Sequence, residues 1–181
     1  MARFPYVDGP ARRAAHTACL AVFDRWRQEH PGSSRCGSRC PTGSSGVGRR
    51  AVRRRARPLL LVMGGIVSVK EQWAPMLLQA ERLGMAMAVA ELPGIGENTL
   101  PYTEDSWRML PALLDALADR ADTGHTYAVA NSFSGHLALR CAVEDERLRG
   151  IVTTGAPVSD FFTDAQWQRG LPGSPWTPSP T

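Results

Sequence analysis

The chain contains few of the residues that mark secreted, membrane-spanning or metal-stabilised proteins. Its longest apolar run, near residues 58–67, is far shorter than the roughly 20 residues that cross a bilayer. The N-terminus lacks the apolar core of a secretory signal. Four cysteines occur in 181 residues, and without a secretory segment we expect reduced thiols and a cytoplasmic setting. Cys36 and Cys40 have no second pair at ligand spacing, so we expect neither a metal nor another cofactor.

Lysine is almost absent, because 20 of the 21 basic side chains are arginines and Lys70 is the exception. Residues 33–57 hold eight arginines and no acidic residue, a charge of +8 in a chain of net charge +4. The remainder therefore sums to −4, and the basic character belongs to one segment. We predict that 33–57 is disordered, and we hypothesise that 33–57 and 172–181 are read out of frame relative to an ancestral gene. Nucleic acid is not an expected partner, although the Arg49–Arg57 run leaves it as a remote alternative.

Apolar runs typical of buried strands alternate with helical patterns along the rest of the chain. Strands are predicted over 58–63, 85–91, 127–130 and 149–154, with helices over 9–29, 70–83, 105–120 and 133–143. This alternation predicts an α/β fold with a mostly parallel sheet and helices on both faces. We divide the chain into an N-terminal helical region (1–32, a lid or a cover), the basic segment (33–57), a core (58–170) and a proline-rich tail (171–181).

The junction between the third strand and its helix contains a serine with almost no loop around it. It reads Ala130-Asn131-Ser132-Phe133-Ser134, close to the Gly-x-Ser-x-Gly pattern of a nucleophile elbow. Small residues are needed two positions either side of the nucleophile, because strand and helix pass close together there. The alternative is that Ser132 only caps the following helix.

A diglycine, Gly64-Gly65, follows the first core strand at the same edge of the sheet. Such a loop can turn backbone N–H groups toward a developing oxyanion. The alternative interpretation is an ordinary tight turn.

These motifs together resemble the α/β-hydrolase fold over residues 58–165, and more narrowly the FrsA-like esterases and the related dihydroxypseudooxynicotine hydrolase. The matching stretches lie at 64–71, 91–97, 131–135 and 155–160. The resemblance implies that Ser132 is the nucleophile and that the N–H groups of Phe133 and Ile66 form the oxyanion hole. It also implies that Gly64, Gly65 and Val67 face the substrate. Val67 stands where the related hydrolase has an acidic residue that touches substrate, so that substrate class is not carried over.

The same resemblance leaves the catalytic machinery incomplete. In this architecture the acid and the histidine follow the serine along the chain, whereas the only later histidine here, His136, lies within the elbow helix and is favoured as a packing residue. Asp160 and Asp164 follow the fourth strand, one strand early for the acid. We expect a truncated serine hydrolase acting on a small-molecule ester, thioester or activated carbon–carbon bond. The alternative is an inactive remnant with at most a binding role, and an exposed sheet edge would permit self-association.

Overall fold

A computed structural model describes residues 9–30, 57–159 and 163–166 of the chain. The predictions for the basic segment other than Arg57, and for the proline-rich tail, lie outside these residues. Within the described parts of the chain, no helix is long and apolar enough to cross a membrane.

The core is one parallel sheet of four strands, arranged in the order β2-β1-β3-β4. The strands are β1 (Pro58–Met63), β2 (Ala86–Ala90), β3 (Asp122–Ala130) and β4 (Leu148–Val152). β1 lies at the centre, where both faces are covered, and this explains its uninterrupted apolar sequence. The predicted fold class, a partial α/β-hydrolase core, is confirmed.

Within residues 9–30 and 57–159, four α-helices and three short 3₁₀ segments connect and flank the strands. The α-helices are α1 (Pro10–Glu29), α2 (Ala80–Leu83), α3 (Met109–Leu117) and α4 (Phe133–Glu144), and the 3₁₀ segments are Lys70–Gln72, Ala74–Gln79 and Ser106–Arg108. The continuous helix predicted over 70–83 is wrong. The segment breaks at Trp73 and is mostly 3₁₀, because Pro75 cannot donate the hydrogen bond that an α-helix would need there.

Alternate side chains of the sheet enter two apolar clusters, one on each face. On the first face, Leu61 packs in a cluster with side chains of α3 and α4. On the second face, Val62 packs in a cluster that contains Phe23 of α1 and Leu77. Helix α1 therefore covers β1 and β2 through Phe23, which is 5% exposed.

The carboxyl ends of the strands lie at one edge of the sheet because all four strands are parallel. The loop 64–69 leaves β1 there, the loop 91–100 leaves β2, and Ser132 follows β3. This edge brings together the residues that the sequence singled out.

Candidate active site

Ser132 occupies the turn between the last residues of β3 and the first residue of α4. Its backbone has φ 55° and ψ −129°, a region that residues with a side chain rarely adopt. The Ser132 N–H donates a hydrogen bond to the Thr154 carbonyl (2.7 Å), and the Asn131 N–H donates to the Met63 carbonyl (3.0 Å). The turn is thus held to β1 on one side and to the segment after β4 on the other.

The residues around the turn are small because the elbow helix passes very close to the sheet. Ala130 and Ser134 are fully buried, and the Ser134 hydroxyl shares its single proton between the Met63 carbonyl (3.2 Å) and the Asn131 carbonyl (2.9 Å). A side chain at Gly135 would come within 2.6 Å of Ala156 Cβ and 3.0 Å of the Ala130 carbonyl oxygen. The strict need for glycine therefore falls on Gly135, one residue later than in the usual written pattern.

The diglycine after β1 lies directly against the serine. A Cβ atom on Gly65 would be 2.8 Å from Ser132 Cβ and 3.1 Å from Ser132 Oγ. A Cβ atom on Gly64 would be 2.6 Å from Trp73 Nε1. Ile66 and Val67 form the turn that follows, which the Ser68 N–H closes by donating to the Gly65 carbonyl (3.0 Å). Because the glycines have no side chains, this loop approaches the serine more closely than it could with any other residues at these positions.

Apolar side chains lie on both segments that flank the serine. Phe133 is the first residue of α4, and its buried ring meets the ring of Tyr102 edge-on at 5.7 Å. Burial raises the pKa of Tyr102 to about 12, so its phenol stays neutral. Val67 is 60% exposed, in the loop beside the serine. The segments on either side of the serine therefore both present apolar side chains.

His136 is the fourth residue of α4, three positions after Phe133. The two rings meet edge-on at 6.4 Å, and burial lowers the pKa of His136. Asp164 is exposed and accepts a hydrogen bond from the Gln166 N–H (2.8 Å), whereas Asp160 is outside the described residues. Within the part of the chain that the structure describes, Ser132 forms no hydrogen bond with His136 or with Asp164.

A buried ionic cluster lies next to the diglycine loop, and the sequence analysis did not predict it. Lys70 is completely buried, with its Nζ 2.6 Å from Glu71 Oε1, 2.7 Å from Glu97 Oε2 and 3.6 Å from Glu91 Oε2. These are ion-pair distances. The signal was present in the sequence, because Lys70 is the single lysine and Glu91 directly follows a buried strand.

The pKa values in this cluster reflect burial opposed by charge. Burial alone would lower the pKa of Lys70, but Glu91, Glu71 and Glu97 outweigh it and raise that pKa. Burial raises the pKa of Glu91, and the positive charge of Lys70 offsets only part of the increase. Among residues 9–30, 57–159 and 163–166, no group of three or more His, Cys, Asp or Glu side chains is arranged to hold a metal ion.

A parallel sheet with a strained serine between strand and helix, and a diglycine loop against that serine, defines a protein of the α/β-hydrolase type. The chain belongs to the FrsA-like esterase family, whose family model matches residues 48–174. It is similar to the esterase FrsA of Vibrio cholerae serotype O1, with 28% identity over 121 residues that cover 64% of this chain and 29% of the relative.

Two solved structures are also similar to this chain. The structure named AbyA5 Wildtype is 54% identical with a TM-score of 0.86, and the match covers 94% of this chain and 49% of that one. The 2,6-dihydroxy-pseudo-oxynicotine hydrolase is 22% identical with a TM-score of 0.64, covering 81% of this chain and 43% of that one, and supports the fold alone. This chain therefore spans less than a third of the curated relatives and about half of AbyA5.

Proposed function

We propose that this chain carries the nucleophile and the oxyanion hole of a serine hydrolase. Ser132 Oγ attacks the carbonyl carbon of an ester, of a thioester or beside an activated carbon–carbon bond. The leaving group departs from the resulting tetrahedral intermediate with the proton that the serine hydroxyl gives up, and an acyl-enzyme remains. The backbone of Ser132 carries the proposal, because a non-glycine residue at φ 55° costs roughly 1–3 kcal/mol and such strain clusters at functional sites.

The oxyanion donors in this proposal are the N–H groups of Phe133 and Ile66. Phe133 is the first residue of α4, where the helix dipole favours negative charge. Ile66 follows Gly65, and the close approach of Gly65 to Ser132 supports a role for this loop beside the proposed nucleophile. Gly64, Gly65 and Val67 would face the substrate, and the exposed apolar side chain of Val67 favours an uncharged acyl group.

A second candidate function is binding without turnover. A serine hydroxyl needs a base to accept its proton, and the only histidine that follows Ser132 in these 181 residues packs its ring against Phe133. If no base reaches Ser132, the same site binds a small acyl compound without cleaving it.

Labelling with a fluorophosphonate, followed by peptide mass spectrometry, tests the proposal. In the labelling step the Ser132 Oγ–P bond forms, the P–F bond breaks, fluoride leaves and the hydroxyl proton passes to solvent. We expect slow, stoichiometric modification at Ser132 that is abolished in Ser132→Ala. Equal modification of Ser68, which lies in the neighbouring loop, would contradict the assignment of the nucleophile. A folded chain with no label at Ser132 would favour the binding function.

A further inference from the structure

We propose that Glu91, together with Lys70 and Glu97, positions the loop 64–69 so that its backbone stays beside Ser132. These are positioning residues that act through the loop and do not touch substrate. The inference rests on the proposed function for the role of Ile66 as an oxyanion donor, whereas the anchoring of the loop can be tested independently of it.

One buried carboxylate joins two loops at the active-site edge. Glu91 is 1% exposed, and its Oε1 accepts a hydrogen bond from the Lys70 N–H (3.1 Å) at the end of the diglycine loop. Its Oε2 accepts a hydrogen bond from the Glu97 N–H (3.0 Å) in the loop after β2. Gly96, at φ 58°, lies against the same carboxylate, so that a side chain there would overlap it. The loop after β2 is therefore shaped around Glu91.

The side chain of Lys70 provides a second link between the same two loops. Its Nζ is 2.7 Å from Glu97 Oε2, and both charges of the Lys70–Glu91 pair are fully buried. Removing one partner of a buried ion pair leaves the other charge uncompensated, which is strongly unfavourable. Helix α1 contacts the 3₁₀ segment Lys70–Gln72, which carries this cluster.

The loop is consequently held at both ends. At its start, Gly64 packs against Trp73, and Gly65 packs against Ser132. At its end, the backbone of Lys70 is tied to Glu91. Ile66 lies between these anchors, so loss of the second anchor would free the segment that follows the diglycine without disturbing the sheet.

Amide hydrogen exchange of the Glu91→Gln variant tests the anchoring. Glutamine fills the same volume but keeps one acceptor oxygen, so it can satisfy only one of the two N–H groups. We expect amides in 64–70 to exchange about tenfold faster, with amides of β1 and β3 unchanged. Glu144→Gln is the matched control, since Glu144 lies on the surface of α4, where it pairs with Arg140 at 3.2 Å. Unchanged exchange in 64–70, or a uniform increase over the whole core, would overturn the inference.

The rate of Ser132 phosphonylation separates positioning from anchoring. We expect it to fall several-fold in Glu91→Gln and to stay unchanged in Glu144→Gln. An unchanged labelling rate in a variant whose loop exchanges faster would overturn the positioning role. Failure of the parent chain to label at Ser132 would count against the proposed function, and the exchange data would then decide the anchoring alone. If Glu91→Gln does not fold, Glu97→Gln, at a side chain 26% exposed, should show the same local pattern with a smaller increase.

Discussion

Substitution of Gly65 by alanine tests whether the diglycine loop and the serine lie as close together as the structure shows. The variant is compared in three backgrounds: the parent chain, Ser132→Ala and Ser132→Gly. Gly65 has no positive φ, so alanine meets no backbone strain there, and any penalty must come from contacts of the new methyl group.

The size of the penalty follows from the neighbours of that methyl group. In the parent it would lie 2.8 Å from Ser132 Cβ and 3.1 Å from Ser132 Oγ, while the next atom, the Asn131 carbonyl oxygen, is 3.7 Å away. Forcing a methyl into such a contact costs about 1–3 kcal/mol of the free energy of unfolding. In Ser132→Gly both short contacts disappear, and 3.7 Å is an ordinary van der Waals distance. The coupling between the two sites should therefore be about 1–3 kcal/mol.

Urea unfolding of the single and double variants measures this coupling, provided that the m-values agree. Ser132→Gly alone should stabilise the chain by about 1 kcal/mol, because glycine relieves the strain at φ 55°. Ser132→Ala keeps the Cβ atom and so should retain most of the Gly65→Ala penalty. A penalty that is equal in all three backgrounds, within about 0.5 kcal/mol, would refute the reasoning.

Three further outcomes concern reactivity and ionisation. Turnover of p-nitrophenyl esters by the 181-residue chain should barely exceed background and change little in Ser132→Ala; robust, Ser132-dependent turnover would contradict this and direct attention to His136 as the base. Tyr102, with its pKa raised to about 12 by burial, should ionise at higher pH than exposed tyrosines in a titration followed at 295 nm, and its contribution to stability, present below about pH 10, should be lost as the pH rises toward 12. If Tyr102→Phe removes an absorbance change near pH 10 and not one near pH 12, this is refuted. Burial raises the pKa of Cys141 to about 11, so iodoacetamide at pH 8 should leave it unmodified until the chain is unfolded, and native-state alkylation at a free-thiol rate would be inconsistent with the structure.

The features that sequence predicts well are those that depend on neighbouring residues. The run 58–63 is apolar throughout because β1 is covered on both faces, and the pattern reveals this without knowledge of the partner strands. The abrupt change from strand to helix around Ser132 is equally local. The ends of the elements are less visible. β3 begins at Asp122 rather than at 127. Its first half is polar, so the apolar pattern does not reveal it, although Asp122 and Thr126 are aligned with residues of β1.

The features that sequence does not predict arise from contacts between distant segments. Nothing near Lys70 shows that its backbone N–H meets a carboxylate 21 residues later. The need for glycine at Gly135 comes from Ala156 and from the backbone of Ala130, which only the folded sheet brings together. The break at Trp73 could have been predicted from the sequence alone, since Pro75 disfavours a continuous α-helix there.

The position of the strands separates two parts of the proposed chemistry. The nucleophile and both candidate donors follow β1 and β3, which pair with each other through most of their length and lie at the middle of the sheet. Their geometry is therefore set by the sheet itself, together with the Glu91 contacts at the edge. The ring of His136, the one histidine that follows Ser132 in these 181 residues, lies edge-on to Phe133. The Gly65–Ser132 coupling consequently tests how closely the diglycine loop packs against the serine without requiring turnover, whereas ester turnover tests the complete reaction. A large coupling with negligible turnover would mean that the loop and the serine are packed as the structure shows although this chain does not turn over the ester.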